Sequence, residues 1–208
     1  MIEFSTLGTF FVVVLGLFLV PGPAVLLTLS STIRGGRKTG ILTGLSIATG
    51  DFIHTMFAVL GLSAILMTSA AAFNLVKYAG AVYLIYMGLK AIAEKPNKQD
   101  LPSVSKSSNL QSYRQAVLAE VLNPKTAIFF LAFLPQFVHP EKGTAIVQFL
   151  LLGLIFVIMS CLYTTLIAIS VRLIGRLMKR TAKLGQWSGK FAGLIYIWLG
   201  VKVAFQQR

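Results

Sequence analysis

Long apolar runs alternate with short polar ones along this chain. Residues 10–20, 57–67, 78–89, 127–133, 149–169 and 191–205 are nearly free of charge. With its mildly polar flanks, each run reaches the roughly 20 residues that a helix needs to cross hydrocarbon. The pattern predicts six membrane-spanning helices at about 4–32, 40–67, 72–92, 114–138, 146–171 and 188–205. Between the third and fourth lies the one long polar segment, 94–112, rich in Ser, Pro, Lys and Asn, which reads as a flexible linker. Ser112 followed by Gln115 resembles a capping box that opens the fourth span. The expected fold is an all-α polytopic membrane protein. It forms a single transmembrane domain over 1–208, with one three-helix half at about 1–93 and another at about 113–208.

Composition agrees with the pattern. Apolar residues make up 56% of the chain and charged residues 12%, with a mean hydropathy of +0.79. A soluble domain carries about a quarter charged residues, so a water-facing surface of ordinary size is excluded. The net charge of +13 would suggest nucleic acid in a soluble protein, but here the basic residues cluster between spans and no nucleic-acid partner is expected. Arg34, Arg37 and Lys38 lie in the first link, and Lys90, Lys95, Lys98, Lys106 and Arg114 around the third. Arg172, Arg176, Lys179, Arg180, Lys183 and Lys190 belong to the fifth. The second link carries no charge, and the fourth has Lys142 beside Glu141. Under the positive-inside rule the odd links face the cytoplasm and both termini lie outside. Residues 1–9 hold no Lys or Arg, and the first apolar run ends in Pro-Gly-Pro, so a cleaved signal peptide is not expected. Cys161 is the single cysteine; it excludes an internal disulfide, a thiol metal cluster and the paired cysteines of a membrane electron carrier.

The two halves share a pattern. Residues 77–90 read KYAGAVYLIYMGLK and residues 190–202 read KFAGLIYIWLGVK. Lys-aromatic-Ala-Gly, a Tyr three residues after the Gly and a terminal Gly-x-Lys recur, with one residue deleted. The first span of each half also corresponds, through Pro21-Gly22-Pro23-Ala24 in one and Asn123-Pro124-Lys125-Thr126 in the other. Three spans per half make the copies inverted in the membrane. Inverted repeats with helices broken at matching positions point to a transporter whose site lies between the repeats.

Proline lacks an N–H and clashes with the carbonyl four residues earlier. Pro21 and Pro23 free the carbonyls of Leu17 and Leu19, and Pro124 frees that of Glu120. Such breaks persist in a membrane only where protein, water or ligand satisfies the freed groups. Helices 1 and 4 are therefore expected to be broken. Gly22 and Asn123 read as N-caps with Pro23 and Pro124 at the first helical position. Two helix starts, with the charge of Lys125 beside one, suit an anion such as a substrate carboxylate; an ordinary proline kink is the alternative.

Asp51 lies about eleven residues into the second span, some 16 Å at roughly 1.5 Å per residue, near the bilayer centre, where ionisable groups face a cavity or a partner. It shares a helical stripe with Gly40, Gly44, Ile47 and His54. Asp51 is a candidate for the site and for coupling, by titrating or by pairing with Lys125. His54 and Glu120 are further candidates for coupling, and Tyr83 and Tyr196 for lining a cavity. Ordinary packing, hydrogen bonding across the bundle and snorkelling to the interface are the alternatives for these four. No phosphate-binding loop, Ser-His-Asp arrangement or His/Cys cluster occurs, so neither an enzyme nor a bound cofactor or metal is expected; an ion gradient is the expected source of energy.

The segments VPGPAVLLTL (20–29), GLSIATGDFIHTMFAVLGL (44–62), KYAGAVYLIYMGLKAI (77–92) and LNPKTAIFFLAFLPQFV (122–138) resemble the lysine-exporter family, LysE/RhtB, over essentially the whole chain. The resemblance implies six helices, an amino-acid substrate and export across the bacterial inner membrane by proton antiport. It also carries Pro21, Gly22, Pro23, Asp51, Asn123, Pro124 and Lys125 over as site residues, with Ala24 completing the first motif. With Asp51 and Glu120 as the only deep carboxylates, neutral substrates such as leucine, threonine or homoserine are favoured over lysine. The competing readings are an exporter of metal or other small cations and a non-transporting membrane subunit. A homo-oligomer is compatible with the sequence.

Overall fold

Helix forms where the apolar runs continue and stops where proline intervenes. The computed structural model describes residues 2–19, 21–68, 70–93, 109–180 and 182–205, and among them every regular element is helical. Helix α1 spans Phe4–Leu19 and α2 Pro23–Phe57. A π turn at Ala58–Leu62 leads into α3, Ser63–Thr68, followed by α4, Ala70–Ala93. Helix α5 covers Asn109–Val121 and α6 Pro124–Ile128. A π turn at Phe129–Phe133 and 3-10 turns at Leu134–Phe137 and Pro140–Lys142 connect it to α7, Ala145–Arg180; α8 is Ala182–Phe205. The expected linker lies, over 94–108, outside the described residues.

The predicted spans are not six unbroken rods. Pro23–Ile65, Asn74–Ala93 and Ala145–Val171 are long and apolar enough to cross a bilayer. Asn109–Val121 with Pro124–Phe137 is a pair bent by 43°, a fourth crossing if taken as one span. Phe4–Leu19 and Gly193–Phe205 are shorter apolar helices. The expected first span, 4–32, is cut after Leu19, because Pro21 supplies no N–H and the residue before a proline is pushed out of helical geometry.

Helix α2 is itself two limbs. Gly36 has φ 82° and ψ 177°, a left-handed conformation that glycine adopts without steric cost. A Cβ on Gly40 would run into Thr32 Oγ1 and approach Ala168 Cβ at 3.0 Å. In a straight helix residues 32 and 40 would be about 12 Å apart, so the chain turns back at Gly36. The basic first link read from sequence falls on this reversal.

The limbs pack through small residues, as membrane helices do when water exclusion does not drive their association. The second limb of α2 runs antiparallel to α7. A Cβ on Gly44 would sit 2.8 Å from Thr164 Oγ1, and one on Gly153 2.9 Å from Thr55 Cβ. Helices α4 and α8 are also antiparallel. Gly88 and Gly193 lie so close that a Cβ on either would meet the other's carbonyl oxygen, at 2.6 and 2.5 Å, and a Cβ on Gly200 would meet Ala81 O at 2.8 Å. Helix α5 lies beside α2 in the same direction. Thr49 Oγ1 and Tyr113 OH are 2.7 Å apart, and a Cβ on Gly50 would be 2.6 Å from Glu120 Cβ.

Outside, Ile158, Leu162 and Leu166 of α7 are 58–61% exposed at successive helical turns. Such a stripe is costly in water and at home in lipid. Inside, an aromatic column joins α1, the π and 3-10 turns that follow α6, and α7: Phe10 against Phe137, Phe129 against Phe156 and Phe18 against Tyr163, with ring centroids 4.8–5.2 Å apart.

Candidate functional site

The two proline breaks face each other across a buried polar cluster. Pro23 begins α2 with Gly22 as N-cap, in extended geometry and without a side-chain cap. Pro124 begins α6 with Asn123 as N-cap, whose side-chain oxygen accepts from Lys125 N at 3.1 Å. Both freed carbonyls that are buried find partners from the other half of the chain. Lys125 Nζ donates to Leu17 O at 2.8 Å. His54 Nε2 lies 3.2 Å from Glu120 O, which also accepts from Asn123 N at 2.9 Å. The breaks are thus braced reciprocally, each by a basic side chain from the opposite half.

The anion at the second break is the chain's own. Asn123 Nδ2 donates to both Glu120 oxygens, at 3.2 and 3.1 Å, and Thr126 Oγ1 donates to Oε1 at 2.5 Å. Asp51 of α2, 1% exposed, sits against Glu120 and Ser160, and its Oδ2 is buried with no hydrogen-bond partner. An orphan carboxyl oxygen deep in a protein is expensive. It is satisfied when the group carries a proton or a ligand supplies a donor.

These groups close around a cavity of about 30 Å³, room for about one water molecule and too little for an amino acid. Its polar wall is Asp51, Glu120, Asn123, Lys125, Thr126 and Ser160; Leu17, Phe18, Val25, Ile47 and Phe156 form the apolar wall. Larger cavities lie to either side. One, of about 470 Å³, opens between Ser5, Thr9, Gln136, His139 and Lys202. The other, of about 450 Å³, lies by Thr32, Gly36, Arg37 and Ile169. Helix α1 leads from the first to the buried cluster, and the first limb of α2 leads on to the second.

Of the residues singled out from sequence, Gly22, Ala24, Asp51, Glu120, Asn123 and Lys125 line the small cavity. Pro21, Pro23 and Pro124 are exposed and shape the breaks without lining it. His54 stands behind Glu120, stacked on Phe130 at 5.6 Å. Tyr196, 1% exposed, is packed in the core of α8, and Tyr83 lies beside Tyr86 on α4; neither lines the cavity. Lys125 reaches Leu17 O, one of the freed carbonyls, and Asp51 sits against Glu120. Sequence reasoning passed over the α7 wall, Phe156, Ser160, Tyr163 and Thr164. Its one legible signal is Ser160 and Thr164, two hydroxyls one turn apart in a largely apolar run.

Several apolar helices, two of them broken around a buried charged cavity, mark a multi-pass membrane protein. The chain belongs to the family described as LysE type translocator, which matches residues 15–207. It is 30% identical over 193 residues to the uncharacterised membrane protein YrhP of Bacillus subtilis strain 168, covering 88% of this chain and 91% of that one. It is 27% identical over 211 residues to a leucine efflux protein of Klebsiella pneumoniae, with 99% and 98% covered. A leucine efflux protein of Enterobacter sp. strain 638 is 28% identical over 200 residues, with 95% and 92% covered. No solved structure matches the chain.

Proposed function

We propose that this protein exports a neutral amino acid of the leucine, threonine or homoserine type from the bacterial cytoplasm across the inner membrane, by proton antiport. The observation that carries the proposal is the carboxyl pair Asp51–Glu120 with Lys125 around a small cavity between two broken helices. Two carboxyls in contact do not both ionise readily. Glu120 receives three donated hydrogen bonds from Asn123 and Thr126, which suit a carboxylate. Asp51, with its orphan oxygen, is then the carboxyl that takes up and releases the proton. The apolar wall of Leu17, Val25, Ile47 and Phe156 suits an aliphatic side chain, in keeping with relatives named leucine efflux proteins.

The same reading takes the halves as inverted repeats of three spans, with both termini and Thr144 outside and the basic links inside. Aligning 77–90 with 190–202 pairs Gly80 with Gly193 and Gly88 with Gly200. Exchanging the halves turns the observed contact of Gly88 on Gly193 into Gly200 on Gly80, one residue from the Ala81 that Gly200 meets. Rocking one half against the other opens the cavity to each flanking cavity in turn. The metal-exporter alternative lacks a ligand set: no group of three or more His, Cys, Asp or Glu side chains gathers among the described residues.

The test is competition in inverted vesicles against labelled leucine export. Unlabelled leucine, threonine and homoserine are compared with leucinamide and isoamylamine, the decarboxylated analogue. Amino acids should compete, while the amide and the amine, lacking a carboxylate, should compete poorly. Equal competition by all would remove carboxylate recognition from the account.

A further inference from the structure

Lys125 occupies an unusual place for a substrate-binding residue. Its ammonium lies at the wall of the small cavity, donating to the Leu17 carbonyl that Pro21 frees, and its stem fills the space over Gly22. A Cβ on Gly22 would approach Lys125 Cδ at 3.0 Å and Nζ at 3.3 Å. This side chain takes up space between the two breaks. A freed backbone carbonyl beside a buried carboxyl pair is what a protonated α-amine would seek, since each ammonium N–H needs an acceptor away from water.

We propose that Lys125 is a tethered stand-in for the substrate's ammonium. In the empty carrier it holds the Leu17 carbonyl and balances the charge of Glu120. The arriving amino acid places its own ammonium there, and the displaced Lys125 turns to the incoming carboxylate. The cluster then keeps a cation in both states. A zwitterion satisfies both positions, whereas an amine without a carboxylate strands Lys125 without an acceptor. This inference rests on the exporter reading above and adds a consequence of its own. The empty carrier needs Lys125 to reorient, because without it the carboxylate is buried uncompensated. The substrate-loaded carrier needs it less, because the substrate brings its own cation.

Purified protein in liposomes separates the two journeys. Net efflux of labelled leucine passes through the empty carrier, while exchange of labelled for unlabelled leucine at saturating concentration does not. Lys125→Gln should lower the ratio of net efflux to exchange by at least about tenfold, and Lys125→Arg, which keeps the charge, should largely restore it. Gly22→Ala perturbs the same contact without deleting the charge, by crowding Lys125 off Leu17. It should shift the ratio in the same direction, and it serves where Lys125→Gln fails to insert. Parallel loss of both activities in these variants, or an unchanged ratio in both, overturns the role of Lys125. Wild-type protein that moves no amino acid in either mode refutes the exporter reading itself.

Discussion

Replacing Asn123 by Ala strips three hydrogen bonds from one junction: two from Nδ2 to Glu120 and one from Lys125 N to Oδ1. The cap bond accounts for about 0.5–2 kcal/mol. With Glu120 carrying its charge, as proposed above, the amide's hold on it is stronger, at about 1.5–3 kcal/mol. Together they put the loss at roughly 2–5 kcal/mol, a drop of order ten degrees in melting temperature for a chain of this length. Cys161, the single cysteine and half-buried, provides the assay, since a thiol-reactive dye reports unfolding of detergent-purified protein. Thr126→Val, which removes one bond to Glu120, should fall between wild type and Asn123→Ala. The identity of the partner is read from a double-mutant cycle. In a Glu120→Gln background, Asn123→Ala should destabilise by about 1–3 kcal/mol less, because the charge that Asn123 serves is gone. Additive effects, or a shift for Asn123→Ala no larger than for Asn74→Ala at an exposed position, would refute the reasoning.

Other outcomes follow from the same geometry. Gly88→Ala and Gly193→Ala each drive a Cβ into the opposite backbone carbonyl. Each should cost about 1–3 kcal/mol of the same thermal stability, and the pair should be non-additive because they share one crossing. Single cysteines in a Cys161→Ala background should be labelled by an impermeant maleimide in intact cells at Thr144 and not at Ser107, in the linker; labelling at 107 would overturn the orientation. At the chain's start, Lys142 Nζ meets Glu3 at 2.7 Å. Hydrogen bonding and charge from Lys142 hold the Glu3 carboxyl below its ordinary range, and Glu3 in turn raises Lys142. The contact is therefore present between the two values. It is lost as pH falls through the lowered value of Glu3 and again as pH rises through that of Lys142. A spin label at Ile2 should gain mobility at acid pH, and Lys142→Gln should abolish that change.

The sequence carried the breaks and the depth of Asp51 because each has a local chemical cause. A proline without an N–H, an Asn before it and a carboxylate far from either end of an apolar run are visible in one dimension. The reversal at Gly36 was legible as a basic link. The partnership of Glu120 with Asn123 was only half legible: three residues apart is ordinary helical spacing, and nothing marks the fold-back of Asn123 onto the carboxylate across a break. The α7 wall was legible only through Ser160 and Thr164, a weak signal because they lie in a run that a lipid-facing helix could contain. Thr164 spends its hydroxyl on the Ser160 carbonyl one turn back. Nor do the π turns at Ala58–Leu62 and Phe129–Phe133 carry a composition of their own. Tyr83 and Tyr196 share the repeat with the glycines, but the close crossing of α4 and α8 turns them to packing instead of the cavity.

Proton coupling through Asp51 is tested most directly in liposomes holding labelled leucine, under an imposed pH gradient with the membrane potential clamped. The account predicts that wild-type protein moves leucine against its own gradient when protons flow the other way. Asp51→Asn, inserted to the same level, should lose that accumulation while still exchanging leucine for leucine. Accumulation by Asp51→Asn equal to wild type, or wild-type leucine movement indifferent to the pH gradient, would contradict it.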